Sequence, residues 1–445
     1  MATATFGRSF LTKALAENYR NDLMLAARDG EAFSTATGEP LSWERSAETV
    51  YAHARAFMKL RWSDGGADNT RRSLAENLTA VVVASLDARH SKRDRPDGKV
   101  LRRAVASWAL RPSSWEVDPP EEVARALAWV AAASRPMQDF AEADAIRNLL
   151  TALDTGWRGK PLKHASVQRR RAALHAMLDH AVERKLLAVN PLGGLKVRRR
   201  RVSDRIDPRQ VPSLRQARRL LAAVPDGYGH LAAFYATLYY AGTRPGEARA
   251  LRVDDCTLPA SGWGSLLLAA SRPEVPAEWT DDGDRFRERE LKHRAPGDVR
   301  PVPIPPALVR ILRDHIAAFG AAPDGRLFWE GAGRTPLGGQ LYRRIWRRVR
   351  KAALSPEEHA SVLAVRPYDL RHGCASLLLS NGVPSTEVAR RLGHSVAMLH
   401  TTYAHWLENL ETEANARMDA AFGDDGDKTS GHGPTAGQMP DENAG

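Results

Sequence analysis

Residues 368–405 read YDLRHGCASLLLSNGVPSTEVARRLGHSVAMLHTTYAH. Leu370, Cys374, Leu377 and Leu378 recur at i, i+4, i+7 and i+8, the apolar stripe of an amphipathic helix. Asn381-Gly382 ends that helix, and Pro384 suits the first turn of a second one. On the second helix Arg390, Arg391 and His394 share a face at three- and four-residue spacing. Tyr403 follows nine residues after His394. One compact helical unit thus delivers a fixed cation (Arg371), a group titrating near neutrality (His394) and a phenol (Tyr403). Taken singly, each has a bland explanation: a buried Asp–Arg pair, a packed histidine, a core tyrosine. The joint spacing is what argues for chemistry.

The block resembles the second box of the tyrosine recombinases, the phage integrase family: HxxRH, then LGH, then a nucleophilic tyrosine nine residues on. Arg371-His372, Leu392-Gly393-His394 and Tyr403 fill those slots. Tyr368 stands where the family has the first histidine. A phenol still donates to a phosphate oxygen, but with a pKa of about 10 it is a poor base near pH 7.

The whole composition is compatible. A chain of 445 residues supports two or three domains with ample cores. Lys plus Arg number 65 against 53 Asp plus Glu, a net charge of +12. That balance argues for a polyanionic partner, because every phosphate neutralised releases counterions, although a merely soluble basic protein looks the same. Cys256 and Cys374 form no disulfide or zinc pattern, which fits a reducing, cytoplasmic setting. No apolar run approaches the ~18 residues of a membrane span, no signal-like apolar core opens the chain, and no internal repeat is visible.

Residues 1–44 are an N-terminal segment of uncertain role, with a helix expected over Thr12–Ala27 and a loop from Gly30 to Pro40. From there periodicity sharpens: Val50, Ala54, Phe57 and Met58 form one stripe, and Leu74, Leu78, Val81 and Val82 another, with Asn69 as the expected N-cap. A charged connector spans 89–99, and helices are expected over 100–110, 121–133, 142–153 and 164–187, the last stopped by Asn190-Pro191. Residues 45–196 therefore read as a helical domain. It resembles the core-binding domain of tyrosine recombinases, and Arg169 and Arg170 are its expected DNA contacts. Residues 197–208 read as a basic interdomain linker, whose Arg198, Arg199, Arg200 and Arg201 are expected to lie against the DNA backbone.

Residues 209–422 read as the catalytic domain. The stripe Leu231, Phe234, Tyr235, Leu238 ends at Gly242, and Pro245 opens a new helix, so Arg244 sits in the turn at a helix N-terminus, where an anion is favoured. A simple Arg244–Glu247 ion pair is the modest alternative. AGTRPGEARAL, however, matches the family's first box, which implies that Arg244 binds the scissile phosphate and Glu247 braces the site. Strands are expected over 265–269, 289–292 and 299–304, the last two joined by a hairpin turn containing Pro296-Gly297. Lys292 lies at the mouth of that hairpin, where the family carries its catalytic lysine. The 272–285 loop is longer than a compact sheet needs. The helix from Tyr342 to Lys351 is strongly basic, and Arg343, Arg344 and Arg347 are its expected phosphate contacts. One more helix runs to about Phe422, and 423–445 reads as a disordered tail.

The expected fold is mainly α with a small antiparallel β-sheet: a helical core-binding domain plus a mixed α+β catalytic domain, which the resemblance arranges as a C-shaped clamp. The resemblance implies a site-specific recombinase that cleaves and rejoins double-stranded DNA through a 3′-phosphotyrosyl intermediate on Tyr403. Arg244 and Arg371 bind the phosphate, Lys292 protonates the leaving oxygen, His394 donates to the phosphate, and His372 and Tyr368 support the site. No Mg²⁺, zinc or nucleotide motif occurs, so no cofactor is expected. A homotetramer is implied on paired sites, monomeric or weakly associated when free, with accessory DNA-bending or excision proteins as partners. Two alternatives stand beside it, a type IB topoisomerase-like nicking-closing enzyme and a DNA-binding protein that has lost catalysis.

Overall fold

The computed structural model describes residues 6–41, 43, 48–87, 90, 94–194, 205–292, 295, 297–408 and 411–423. It divides into two compact units, Met1–Val202 with Val275–Asp284, and Ser203–Glu274 with Arg285–Gly445.

The first unit is helical: α1 (Lys13–Arg28), α2 (Val50–Ser63), α3 (Asp68–Ala84), α4 (Gly98–Ala104), α5 (Glu121–Ala133), α6 (Ala143–Leu153) and α7 (His164–Glu183). Thr12 and Thr49 cap α1 and α2 by accepting from Leu15 N and Ala52 N. The expected Asn69 cap is not used. Ala67 is the cap and helix α3 begins at Asp68, two residues earlier than an Asn69 cap would allow; Asp68 is buried 3.8 Å from Arg71. Phe57 and Met58 of α2 pack with Leu78, Val81 and Val82 of α3 and with Leu174, Met177 and Leu178 of α7. α1 buries only Ala26.

Val275–Asp284 falls, by sequence, inside the second half of the chain, yet it belongs to this first unit. Val275 and Trp279 join the unit's core, with Trp279 6.0 Å from Trp62, ring to ring. Arg71 lies over the Trp62 ring at 4.7 Å and donates to Asp281 at 2.7 Å. The excess length of the 272–285 loop therefore has a packing reason: it carries two apolar side chains, Val275 and Trp279, that are buried in the first unit's core.

The second unit holds α8 (Leu214–Ala222), α9 (His230–Tyr240), α10 (Pro245–Ala250), α11 (Pro306–Phe319), α12 (Gly339–Ala353), α13 (Pro356–Ala360), α14 (Asp369–Ser380), α15 (Ser385–Leu392), α16 (Val396–Glu408) and α17 (Glu411–Gly423). Its strands are β1 (Cys256–Thr257), β2 (Gly264–Leu268), β3 (Ala270–Ser271), β4 (Arg289–Glu290), β5 (Arg300–Ile304), β6 (Trp329–Glu330) and β7 (Thr335–Pro336). The main sheet is antiparallel in the order β1-β2-β5, with Leu266 opposite Val302 and Leu268 opposite Arg300. The expected pairing of 289–292 with 299–304 does not occur among the described residues: β4 pairs with β3 instead. Burial explains the exchange. β2 and β5 both alternate apolar residues toward the core, whereas Arg289 and Glu290 of β4 have none to offer.

The large core of this unit centres on Phe234, Tyr235, Ile345, Trp346 and Leu370. Trp346 is fully buried, and its indole N–H still finds Ala364 O at 2.7 Å. A smaller cluster gathers Cys374, Leu379, Val388, Leu392, Leu399 and Tyr403 beneath the site described next.

Candidate active site

Two sharp turns assemble the site. Gly242, at φ +62°, follows α9 and lets the chain reverse into Thr243-Arg244. Gly393, at φ +64°, closes α15 in the left-handed conformation, and a Cβ there would overlap the Arg300 guanidinium. His394 therefore leaves the helix and does not share a face with Arg390 and Arg391, as spacing alone had it. Those two arginines bond Glu387 instead.

Arg244 occupies the cap position of α10. Its backbone N–H donates to Glu247 Oε2 at 2.8 Å, its Nη1 to Oε1 at 2.6 Å, and its Nη2 to Gly393 O at 2.9 Å. The modest ion-pair alternative is thus also present, and it holds the guanidinium between the two turns. Arg371, on the first turn of α14, is wholly buried. It donates to Gly242 O and Leu392 O, and its Nη2 lies 2.9 Å from His394 Nε2. Arg300, on β5, is 1% exposed and donates to Glu247 Oε2 at 2.7 Å.

Three guanidiniums thus converge on one carboxylate, a cluster short of negative charge. Burial pushes the Glu247 carboxyl up, but Arg300, Arg371 and Arg244 outweigh it and hold the group below its ordinary range. Burial and the same cations push His394 down to about 3, so its ring is neutral. Arg371 Nε, Arg300 Nε and His394 Nδ1 are buried with no hydrogen-bond partner among the described residues. An anion entering here finds fixed charge and preformed donors.

Tyr403 interrupts α16, with φ −116° and ψ 23° where helical values would be. Its side chain is fully buried, stacked 6.4 Å from His394, ring to ring. Its hydroxyl lies 2.8 Å from His372 Nδ1, and burial raises its pKa well above the ordinary phenol value. The His372 ring stands edge-on to Tyr368 at 5.1 Å. Lys292 is exposed and lines a cleft of about 550 Å³ with Ala295, Asp298, Gly393, His394 and Ser395.

Of the residues expected from sequence, Arg244, Glu247, Arg371, His372, His394 and Tyr403 meet within this unit, with Tyr368 against His372 and Lys292 on the adjoining cleft. Arg300 was read only as a strand residue. Its signal was parity: it shares the inward register of Val302 and Ile304. Among the expected DNA contacts, Arg169 is exposed on α7, and Arg343, Arg344 and Arg347 are exposed on α12. Arg170 is not available: it is buried and its Nη1 donates to Leu153 O and Thr155 O at 2.9 and 2.8 Å. Arg198–Arg201 lie outside the described residues, as do 424–445 of the expected tail. No helix of the described residues is long and apolar enough to cross a membrane.

The model of the Phage integrase family matches residues 210–409. The prophage phiRv2 integrase of Mycobacterium tuberculosis is 28% identical over 253 residues, 55% of this chain and 59% of that protein, in each of two strains. The chain thus spans about three fifths of that relative's length. A Tn1549 transposon integrase fragment, solved with circular-intermediate DNA, is 17% identical over 72% of this chain and 99% of that one, at a TM-score of 0.49. A lambda integrase tetramer bound to a Holliday junction is 15% identical, covering 88% of both chains at a TM-score of 0.49. Residues 210–409 of this chain match the model of the Phage integrase family, a stretch just under half of the chain.

Proposed function

We propose that this protein is a site-specific DNA recombinase that integrates or excises a phage or mobile element, cleaving and rejoining double-stranded DNA without metal or ATP. One observation supports it above the rest. Arg244, Arg371, His394 and Tyr403 meet around the Leu392-Gly393-His394 turn, and the Lys292 cleft opens on the same turn.

The chemistry follows from those positions. Tyr403 Oη attacks the phosphorus, and the 5′-oxygen leaves with a proton from Lys292. The covalent ester conserves the bond energy, so a second 5′-hydroxyl reverses the step and joins strands. Arg244 and Arg371 present planar donors to the non-bridging oxygens, and His394 adds another; such preorganised contacts are worth about 10²–10³ in rate each. Glu247 aligns Arg244 and stays outside the reaction. The break in α16 at Tyr403 lets the phenol turn toward the phosphate without unwinding a whole helix. A homotetramer on paired sites is part of the same proposal, with Arg169, Arg343, Arg344 and Arg347 as backbone contacts.

A nicked suicide duplex carrying the attachment site tests it. The wild type should leave a covalent protein–DNA adduct that Tyr403→Phe abolishes. Adduct surviving in Tyr403→Phe would remove the tyrosine from its role, and none from the wild type would leave a DNA-binding protein. Relaxation of any supercoiled plasmid without site preference would point to a topoisomerase.

A further inference from the structure

We infer that His372 is the general base that takes the Tyr403 phenol proton as the tyrosine attacks. The assignment rests on the DNA-cleavage reading above and adds to it the one proton transfer that reading leaves without an acceptor.

Among the described residues, His372 Nδ1 at 2.8 Å is the hydrogen-bond partner of the Tyr403 hydroxyl. In the tautomer with the ring's own proton on Nε2, Nδ1 accepts from the Tyr403 hydroxyl, and this is the form a base requires. The competing acceptors are worse placed. His394 stacks on the Tyr403 ring, but its Nε2 is engaged by Arg371 at 2.9 Å. Tyr368 packs edge-on against the His372 ring and makes no hydrogen bond to the Tyr403 hydroxyl among the described residues. Lys292, on the cleft, is the proton donor to the leaving oxygen in the reading above. Two histidine rings therefore flank Tyr403, at 5.9 and 6.4 Å, and only one of them touches its oxygen.

The groups facing His372 explain when the proton moves. Arg371 and Arg366 bear on it as charges, Tyr368 packs one turn back, and Tyr403 and His394 complete its surroundings. Burial and the two arginines hold the free ring neutral, at about 3. An imidazolium is unfavourable there until a phosphodiester anion enters the Arg244–Arg371 cluster and offsets the positive charge. The nucleophile thus stays protonated, and inert, without DNA. With the phosphate in place, Oη–P forms as P–O5′ breaks, the phenol proton passes to His372 Nδ1, and O5′ takes its proton from Lys292. On rejoining, the 5′-hydroxyl gives its proton to the Lys292 amine, and His372 returns its own to Oη.

The test uses the full-length protein and two nicked duplexes, one ordinary and one with sulfur in place of the bridging 5′-oxygen at the scissile phosphate. The sulfur leaves without protonation, so it bypasses an acid but not a base. His372→Asn keeps a hydrogen-bonding atom near the Nδ1 position yet holds no proton. It should slow adduct formation about 10²–10⁴-fold on both duplexes, the usual range for a general base, and lose the acid limb of the wild-type pH profile. Lys292→Ala should be slowed on the ordinary duplex alone. Incorporation of 3-fluorotyrosine at position 403, a more acidic phenol, should recover part of the His372→Asn rate, which a merely structural role would not allow. Melting and DNA affinity report whether the variant is folded, and His372→Gln is the second variant if it is not. Wild-type adduct together with a His372→Asn rate within about threefold of it would overturn this assignment alone. Rescue of His372→Asn by the sulfur duplex would make His372 an acid and overturn it too. No adduct from the wild type would overturn the cleavage reading and this assignment with it.

Discussion

Arg300 Nη2 donates to Glu247 Oε2 across 2.7 Å, with both side chains 1% exposed. The carboxylate also holds Arg244 at 2.6 Å and faces Arg371 at 3.9 Å, so removing one partner or the other is not symmetrical. Arg300→Met leaves Glu247 still paired. Glu247→Gln leaves the buried Arg300 and Arg371 and the part-buried Arg244 without a counterion. Breaking a buried pair from one side costs about 3–5 kcal/mol, and we expect Arg300→Met at the low end and Glu247→Gln above it. Urea denaturation measures both. Sulfate should recover Glu247→Gln more than Arg300→Met, because an anion binding the folded state stabilises it by mass action. The general salting effect is common to both variants, so the difference between them reports the site. Equal losses, or equal recovery, would contradict the cluster's positive surplus.

Tyr403→Phe separates chemistry from packing. The ring lies in a small apolar cluster with Cys374, Leu392 and Leu399, and phenylalanine keeps that surface. What is lost is one hydroxyl and its bond to His372 Nδ1. A net loss of about 0.5–1.5 kcal/mol is expected on denaturant unfolding, with DNA affinity unchanged and covalent adduct absent. A larger destabilisation would mean that the phenol oxygen organises the site as well as reacting in it.

The extent to which the chain announced this site follows from where each residue sits. Arg244-Glu247 and the Arg371–Tyr403 block are local: a turn, a helix start and a nine-residue spacing bring their chemistry together whatever the rest of the chain does. The helices of the first unit were legible for the same reason, their apolar stripes being local. Strand partners are not local. Pro296-Gly297 announced a turn, but which strands pair depends on which faces find a core, and β5 found β2. Arg300 was hidden between Pro301 and its neighbours, since a charged residue beside prolines looks like an exposed edge until its register with Val302 and Ile304 is followed inward. His394 was assigned to a helix face because Gly393 was not taken as the stop, although glycine at φ +64° ends α15 there.

Acid should weaken the folded protein through its two site histidines. His372 and His394 are both pushed down to about 3 from an ordinary value of 6.5, by burial first and by nearby arginines second. Between those values the unfolded chain binds protons that the folded one refuses. Their stabilising contribution is therefore fully present above about pH 6.5 and drains away as pH falls toward 3. Glu247 acts in the same direction at lower pH, since its carboxyl is held below the ordinary range. Urea midpoints taken at pH 7, 6 and 5 should decline, and His372→Asn and His394→Asn should each flatten that decline by up to about one proton of slope. A decline unaltered in both variants would show that neither ring is kept neutral by the fold.

Trp279 makes the clearest stability prediction, because its position in sequence suggests the opposite of its position in space. It lies in a long loop of the second half, yet it is 4% exposed in the core of the first unit, 6.0 Å from Trp62, ring to ring. Trp263, sixteen residues earlier, is 60% exposed. Truncating a buried aromatic to alanine removes its transfer energy and leaves a cavity, about 3–5 kcal/mol together, whereas an exposed site away from such features changes stability by about 0.5 kcal/mol or less. Trp279→Ala should therefore lower the unfolding midpoint sharply and Trp263→Ala hardly at all. The loss should fall on the first unit: limited proteolysis of Trp279→Ala should open cuts around Trp62 and Arg71, whose guanidinium keeps Asp281 as its 2.7 Å partner only while the loop is seated. Cuts confined to 275–284, with α2 and α3 still protected, would mean that the first unit's core closes without Trp279.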